Sequence, residues 1–354
     1  MSAVLHFPEP DERDDPNAAF WADHEVETSQ QVNEAVRRLD RPDDDWIDWP
    51  FPDLAALTGG MAPGDVWFVN SFSGNGKTTF VTSCIRSWIA AFQKTYVMPL
   101  ETDAVDFRTY LACQSVGIDP GFVNGGGLRG HPERQTWLKR INAELDRQQL
   151  DHGFREHVKI KGVDSINLAR LQLATEEAVE WGAKILIVDH IDHIEGGAGR
   201  DLYAESVNVT KAAKKLANKH EILFLFTSQM NNEAMKGGRD RLAQFGPPMP
   251  HHVYMGAHKR MVATGMIGLH RKLREPHPDE TPDDYRAAIK RSRDGELPPM
   301  DALEPGVMAV TQMKSRNAGG KEGNKCFLRV ENGLVSHLPE KDKHSTTYDG
   351  QRRI

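Results

Sequence analysis

Lys77 and Thr78 close the run SFSGNGKTTF (residues 71–80), where an apolar stretch gives way to a helical pattern. The chemistry this spacing permits is phosphate binding. Gly74 and Gly76, on either side of Asn75, let the backbone wrap tightly so that its N–H groups point inward. Lys77 brings positive charge to the outer phosphates of a nucleotide. Thr78 offers a hydroxyl to magnesium, and Thr79 follows in the first turn of a helix whose positive end faces the anion. Ser71 stands where the usual pattern has glycine. That position forms the strand exit and does not touch the reacting phosphate, so a small residue is tolerable there.

Two carboxylates extend this chemistry. Asp189 ends the apolar run KILIVD, where a carboxylate can hold the water shell of magnesium. Glu101 ends TYVMPLE, where a carboxylate can activate a water against a terminal phosphate. The stretch DHIDHIE adds His190, Asp192, His193 and Glu195 to Asp189, a set in which a second metal is conceivable.

These residues need strands and helices in alternation to position them, and the pattern supplies both. DVWFVN, TYVMPL, HVKIK, KILIVD and ILFLFT read as strands. Between them, 77–92, 104–116, 133–149, 165–181 and 202–219 read as helices. MVATGMIGLH and VMAVTQM read as further strands, and KCFLRV with LVSHL as a closing hairpin. The fold class expected is α/β: a mostly parallel sheet covered by helices on both faces, with ligands at the carboxyl ends of its strands. Residues 275–305 are charged and proline-rich and interrupt the pattern as a surface insertion.

Composition sets the outer limits. The 354 residues allow one large domain or two small ones, and no apolar run approaches a membrane span. Three scattered cysteines form no zinc or disulfide pattern, which fits a reducing cytoplasm. Residues 1–50 hold 14 acidic and 4 basic residues; the rest holds 40 basic against 37 acidic, so an acidic arm precedes a mildly basic body. Within that body, residues 231–274 carry eight Lys/Arg against two acids, a cluster suited to phosphate backbones. The expected organisation is a mobile arm (1–28), a helix and connector (29–50), a main domain (51–340) and a tail (341–354). In the second segment, Val32, Ala35, Val36 and Leu39 share one helical face. A stripe of that kind packs on the chain's own body or on a neighbouring subunit.

The order of these motifs resembles a known family. LTGGMAPGD leads into the first strand, Glu101 falls two positions after a proline, and ILIVDHID, FTSQMNN and MKSRNAGG follow. Over about residues 51–335 the chain is similar to the RecA-fold motor domain of DnaB-type hexameric replicative helicases, in a phage-like form without the helical collar or a primase domain. The resemblance implies a ring, hexameric in form, that hydrolyses ATP with Mg2+ and moves on single-stranded DNA, with other replication proteins as possible partners and no membrane. It implies that Glu101 is the catalytic base, that Thr78 and Asp189 serve magnesium, and that Gln229 senses the γ-phosphate. Lys314 and Arg316 match the family's Lys-x-Arg pair, which reaches the neighbouring subunit's nucleotide with Arg316 as an arginine finger.

One stretch departs from the family. Where an Asp-Leu-Arg-x-Ser-Gly-like sequence is usual, this chain has HHVYMGAHKR. Lys236, Arg239, Arg241, Lys259 and Arg260 are therefore expected to contact DNA on charge. Two other outputs remain open: a metal-dependent DNA nuclease using the DHIDHIE carboxylates, and an ATP-gated clamp or assembly factor that binds DNA.

Overall fold

The computed structural model describes residues 45–195, 201–231, 250–273, 303–316 and 322–338, together with positions 29, 32, 33, 35, 36, 40–42 and 281. The acidic arm, the tail and nearly all of the insertion lie outside these residues. The chain divides into two units, Met1–Trp46 and Ile47–Ile354. In the first, Ser29, Val32, Asn33, Ala35 and Val36 are helical, with both valines exposed.

The second unit is built on one nine-stranded sheet. A short helix, α1 (Pro52–Thr58), leads into β1 (Val66–Ser71), α2 (Lys77–Ala90) and β2 (Thr95–Pro99). Next come α3 (Ala104–Val116), α4 (Pro120–Asn124), α5 (Arg134–Leu150), α6 (His152–His157) and β3 (Val158–Ile160). After these run α7 (Leu168–Glu180), β4 (Ile185–Asp189), α8 (Leu202–His220) and β5 (Leu223–Gln229). The chain closes with α9 (Gly256–Val262), β6 (Gly265–Leu273), β7 (Leu303–Ser315), β8 (Lys325–Glu331) and β9 (Leu334–His337).

The strand order is β3-β2-β4-β5-β1-β6-β7-β8-β9. From β3 to β6 every pairing is parallel, and from β6 to β9 every pairing is antiparallel. A parallel strand is covered on both faces and needs apolar side chains on both, which is why VWFV is continuous rather than alternating. Its Trp67 and Val69 enter the core layer beneath α2 and α3; Val66 and Phe68 enter the layer beneath α7 and α8. Trp49, from the connector, fills the first layer with its ring 5.6 Å from Trp67 and 5.7 Å from Phe80. Gly265 opposes Trp67 in β6, where a Cβ would lie 2.3 Å from the indole, so only glycine lets the two strands approach. The closing hairpin turns at Asn332 and Gly333, both at positive φ (51° and 70°), as a two-residue primed turn requires.

One expected strand is corrected. The stretch beginning at Met261 was expected to be extended throughout, but Met261 and Val262 end α9 and the strand starts at Gly265. The cause is tertiary. His258 bonds Ser206 of α8 at 2.9 Å and Lys259 is drawn into a buried ion pair, which holds the segment as a helical turn.

Candidate functional site

The carboxyl ends of β1, β2, β4 and β5 meet at one place. β1 ends at Ser71, and the loop to α2 turns through Gly74 (φ 76°) and Gly76 (φ 87°), the left-handed conformations that glycine allows. No atom lies within 4 Å of a Cβ built at Gly74, so that position calls for glycine by its positive φ and not by lack of space. Lys77 starts α2 and turns back, its Nζ 3.4 Å from both the carbonyl and the hydroxyl of Ser71. The serine at the unusual position thus supplies oxygens to the lysine. Burial lowers the Lys77 pKa, opposed by the charges of Asp189, Glu101 and Asp192.

Thr78 Oγ1 donates to Asp189 Oδ2 at 2.9 Å, which joins the first turn of α2 to the end of β4. Asp189 is 1% exposed, and its other oxygen accepts from the Thr227 hydroxyl on β5. A threonine hydroxyl beside a carboxylate is a hard oxygen donor pair of the kind magnesium takes, so these residues fit the metal ion. Glu101 is tied to the same strand end, its N–H 3.3 Å from the Asp189 carbonyl. Its carboxylate is half-exposed, with Oε2 3.3 Å from His190 Nε2. The hydrogen bond from His190 lowers the Glu101 pKa.

His190 itself is buried, with Nδ1 3.4 Å from Asp192 Oδ2. Burial would lower its pKa, but Asp192 and Glu101 outweigh burial and push it up to about 9. Burial likewise would raise the Asp192 pKa, yet Lys259, His190 and the Gln229 N–H hold it below the usual carboxylate range. Gln229, at the end of β5, has Nε2 3.1 Å from His190 Nε2 and its own N–H 2.6 Å from Asp192 Oδ2.

The structure therefore gathers the phosphate loop, Glu101, Asp189 and Gln229 in one constellation. It does not gather Lys314 and Arg316 with them. β7 runs antiparallel to β6, so its last residues lie at the opposite end of the sheet: Ser315 faces Gly265 and Lys314 faces Met266. The Arg316 N–H donates to the Thr264 carbonyl at 3.0 Å, and the Thr264 N–H to that of Val66 at 2.8 Å. Val66 begins β1, and the phosphate loop leaves its other end, about 16 Å away at about 3.3 Å per residue. That is farther than an arginine side chain reaches. Arg316 is exposed and donates to the Met261 carbonyl at 3.2 Å. Lys314 Nζ donates to the Arg260 and Ala263 carbonyls. Burial, with Arg316 and Arg260 adding repulsion, lowers its pKa to about 8.

The expected DNA contacts divide. Lys236, Arg239 and Arg241 lie outside the described residues. Lys259 is corrected: it is 1% exposed, paired with Asp192 and bonded to Ser228 Oγ and the Tyr254 carbonyl, both at 2.9 Å. A lysine beside a buried carboxylate is drawn inward, where its ion pair offsets two desolvation costs. Arg260 remains exposed, beside Lys314 rather than beside the phosphate loop. The DHIDHIE set disperses too. Asp189 serves Thr78 and Thr227, Asp192 serves Lys259, and Glu195 pairs with Asn167 and Arg170. Among the described residues no group of three or more His, Cys, Asp or Glu is placed to hold a metal ion. Sequence reasoning missed Thr227, the single-nitrogen meeting of Glu101 and Gln229 at His190, and the buried Lys259. For Thr227 and His190 the sequence signal was a polar residue at the end of an apolar strand or just after one; for the burial of Lys259 there was none.

A parallel sheet with a phosphate loop after its central strand, a carboxylate at the end of β4 and helices on both faces defines a RecA-like P-loop ATPase. Residues 47–242 match the model of the DnaB-like helicase C-terminal domain. The chain belongs to that family, and its enzyme class is the helicase-type P-loop ATPase. The match contains the phosphate loop, Glu101, Asp189 and Gln229 but ends before Lys314 and Arg316. No curated protein matches the chain significantly by sequence. Among solved structures, an isolated ATPase domain superposes with a TM-score of 0.63 at 14% identity, covering 88% of this chain and 98% of that one. A DnaB-like replicative helicase, described with its interactions with primase, superposes with a TM-score of 0.61 at 14% identity and over 88% of this chain. The matched region is 66% of that helicase's own length. At this identity both likenesses show the fold alone. Among the described residues no helix is long and apolar enough to cross a membrane.

Proposed function

We propose that the chain is an ATP-driven motor that works as a closed ring, hexameric in form, translocates on single-stranded DNA and separates duplexes in replication. The observation that carries this reading is the distance between the two halves of its chemistry. The phosphate loop lies at one end of β1, while Lys314 and Arg316 lie at the other. Only a head-to-tail neighbour can bring them together, and a head-to-tail contact that closes makes a ring.

In such an interface Lys77 and the N–H groups at the start of α2 bind the β/γ-phosphates. Thr78 and Asp189 hold magnesium, which supplies charge neutralisation to those phosphates when bound. The Glu101 carboxylate accepts the proton of the attacking water. Arg316, planar and permanently charged, stabilises charge on the γ-phosphoryl oxygens of the adjacent subunit. Gln229 links that site to the segment after β5, where Lys236, Arg239 and Arg241 are proposed to meet DNA. Replication proteins, a primase among them, are candidate partners.

The test is subunit mixing. Lys77→Ala subunits keep a good finger, and Arg316→Ala subunits keep a good phosphate loop. Mixed oligomers should recover ATPase activity that neither variant shows alone. No recovery, with mixed oligomers confirmed by mass, would sink the shared-site reading. Strand displacement on a forked duplex with ATP and magnesium then tests the output. Cleavage products on the same gel would favour a nuclease, and binding without displacement a clamp.

A further inference from the structure

Among the described residues of the site, His190 is buried and polar, yet the motor reading gives it no task. Its position is unusual for a side chain without one. Residues from two different strand ends meet at a single nitrogen of its ring: Glu101 Oε2 at 3.3 Å and Gln229 Nε2 at 3.1 Å from Nε2. Glu101 follows β2 and Gln229 ends β5, with β4 between them in the sheet. His190, immediately after β4, spans the gap.

The ring is also held from behind. Nδ1 faces Asp192 Oδ2 at 3.4 Å. Asp192 is held in turn by Lys259 and by the Gln229 N–H at 2.6 Å. Lys259 belongs to α9 and is bonded to Ser228 Oγ and the Tyr254 carbonyl. The His190 ring is thus supported by β5 and α9.

We infer that His190 is a positioning residue that fixes the Glu101 carboxylate and makes its placement depend on Gln229, with the Asp192–Lys259 pair as the buttress. This rests on the reading of Glu101 as catalytic base. The physical reason is the capacity of one ring nitrogen. A ring nitrogen directs one hydrogen bond along its in-plane axis, so the Glu101 carboxylate and the Gln229 amide cannot both be aligned with it. When Gln229 turns to another partner, Nε2 is left to the carboxylate. Glu101 and Gln229 therefore compete for one contact, and a change at either is felt at the other.

The experiment uses the full chain with steady-state ATPase at saturating single-stranded DNA. A fluorescent ATP analogue reports nucleotide affinity. His190→Ala should lower kcat by about 10²-fold, the scale of misplacing a reacting group by about an ångström, and leave the analogue's Kd unchanged. His190→Gln, which returns an N–H donor near the Nε2 position, should recover part of the loss. The deciding measurement is the double variant. If His190 acts through Glu101, Glu101→Gln/His190→Ala should be no slower than Glu101→Gln alone. Multiplied losses would overturn the inference, as would full kcat in His190→Ala. If His190→Ala unfolds, the same comparison is made with His190→Gln in the Glu101→Gln background. Full activity in the single Glu101→Gln variant is a separate result. It would remove the base assignment itself, and the inference with it, without reference to His190.

Discussion

The two ends of the central sheet satisfy their polar groups differently. At the carboxyl end of β1, β4 and β5, Asp189 accepts from Thr78 and Thr227, Asp192 is enclosed by Lys259 and Gln229, and Lys77 folds back onto Ser71. There the buried carboxylates Asp189 and Asp192 are answered within the chain, while Lys77 meets neutral oxygens and Glu101 stays half-exposed. At the other end, Lys314 and Arg316 bond main-chain carbonyls of Arg260, Ala263 and Met261. A carbonyl orients a guanidinium without cancelling its charge. The first end pairs its buried carboxylates within the chain; at the second, among the described residues, Lys314 and Arg316 bond main-chain carbonyls, with Glu322 an opposing charge near Lys314. The proposed division of one chemical site between two copies of the chain rests on this difference.

The largest effects should fall where the comparison is sharpest. Lys77→Ala should abolish ATP hydrolysis, because no other described cation stands inside the phosphate loop. Near-normal turnover in a folded variant would remove the loop from the chemistry. Arg316→Ala, at the opposite end, should cost about 10³–10⁵ in rate, as trans arginine fingers do, with nucleotide binding to each subunit retained. Equal loss of binding in a titration would place Arg316 in its own subunit's site and erase the contrast between the ends.

Glu101→Gln comes next. A positioned general base contributes about 10²–10⁴-fold, so kcat should fall by that factor while nucleotide affinity holds. A fall of less than about tenfold in single-turnover assays would move the base elsewhere.

Stability separates the ends in another way. Lys259→Ala leaves the Asp192 carboxylate buried without its cation and should cost about 3–5 kcal/mol, read as a lower Tm. Lys314→Ala should change Tm little, because its partners are main-chain carbonyls near the surface. Equal melting losses would contradict the distinction between a buried ion pair and a carbonyl-bonded charge. Asp192→Asn with Lys259→Met removes both charges together and should recover much of the loss.

The smallest expected effect concerns pH. Lys314 has its pKa lowered to about 8 by burial, with Arg316 and Arg260 adding to the shift. It is a cation below that value and neutral above it. If it contributes charge to the neighbouring site, ATPase activity should decline as pH rises past about 8. Lys314→Arg, charged throughout this range, should abolish the decline. An unchanged profile would limit Lys314 to bracing the strand end.

How much of this was legible beforehand differs by residue. The phosphate loop was legible because its chemistry is local. Glycines that permit positive φ, a lysine and a threonine must be adjacent in sequence to work, so their spacing declares them. The parallel sheet was legible because strands buried on both faces must be apolar throughout, as in VWFV and ILIV. Lys259 was not legible. In the sequence it stands in a basic cluster facing no acid nearby, and Asp192, 67 residues earlier, is invisible as its partner until the ends of β4 and β5 lie side by side. The same holds for His190, whose neighbours Glu101 and Gln229 come from separate strands. The placement of Arg316 depended on strand direction. Nothing local in MKSR says whether β7 runs with β1 or against it, and only the antiparallel register with β6 puts residue 316 beside Val66, out of reach of its own phosphate loop.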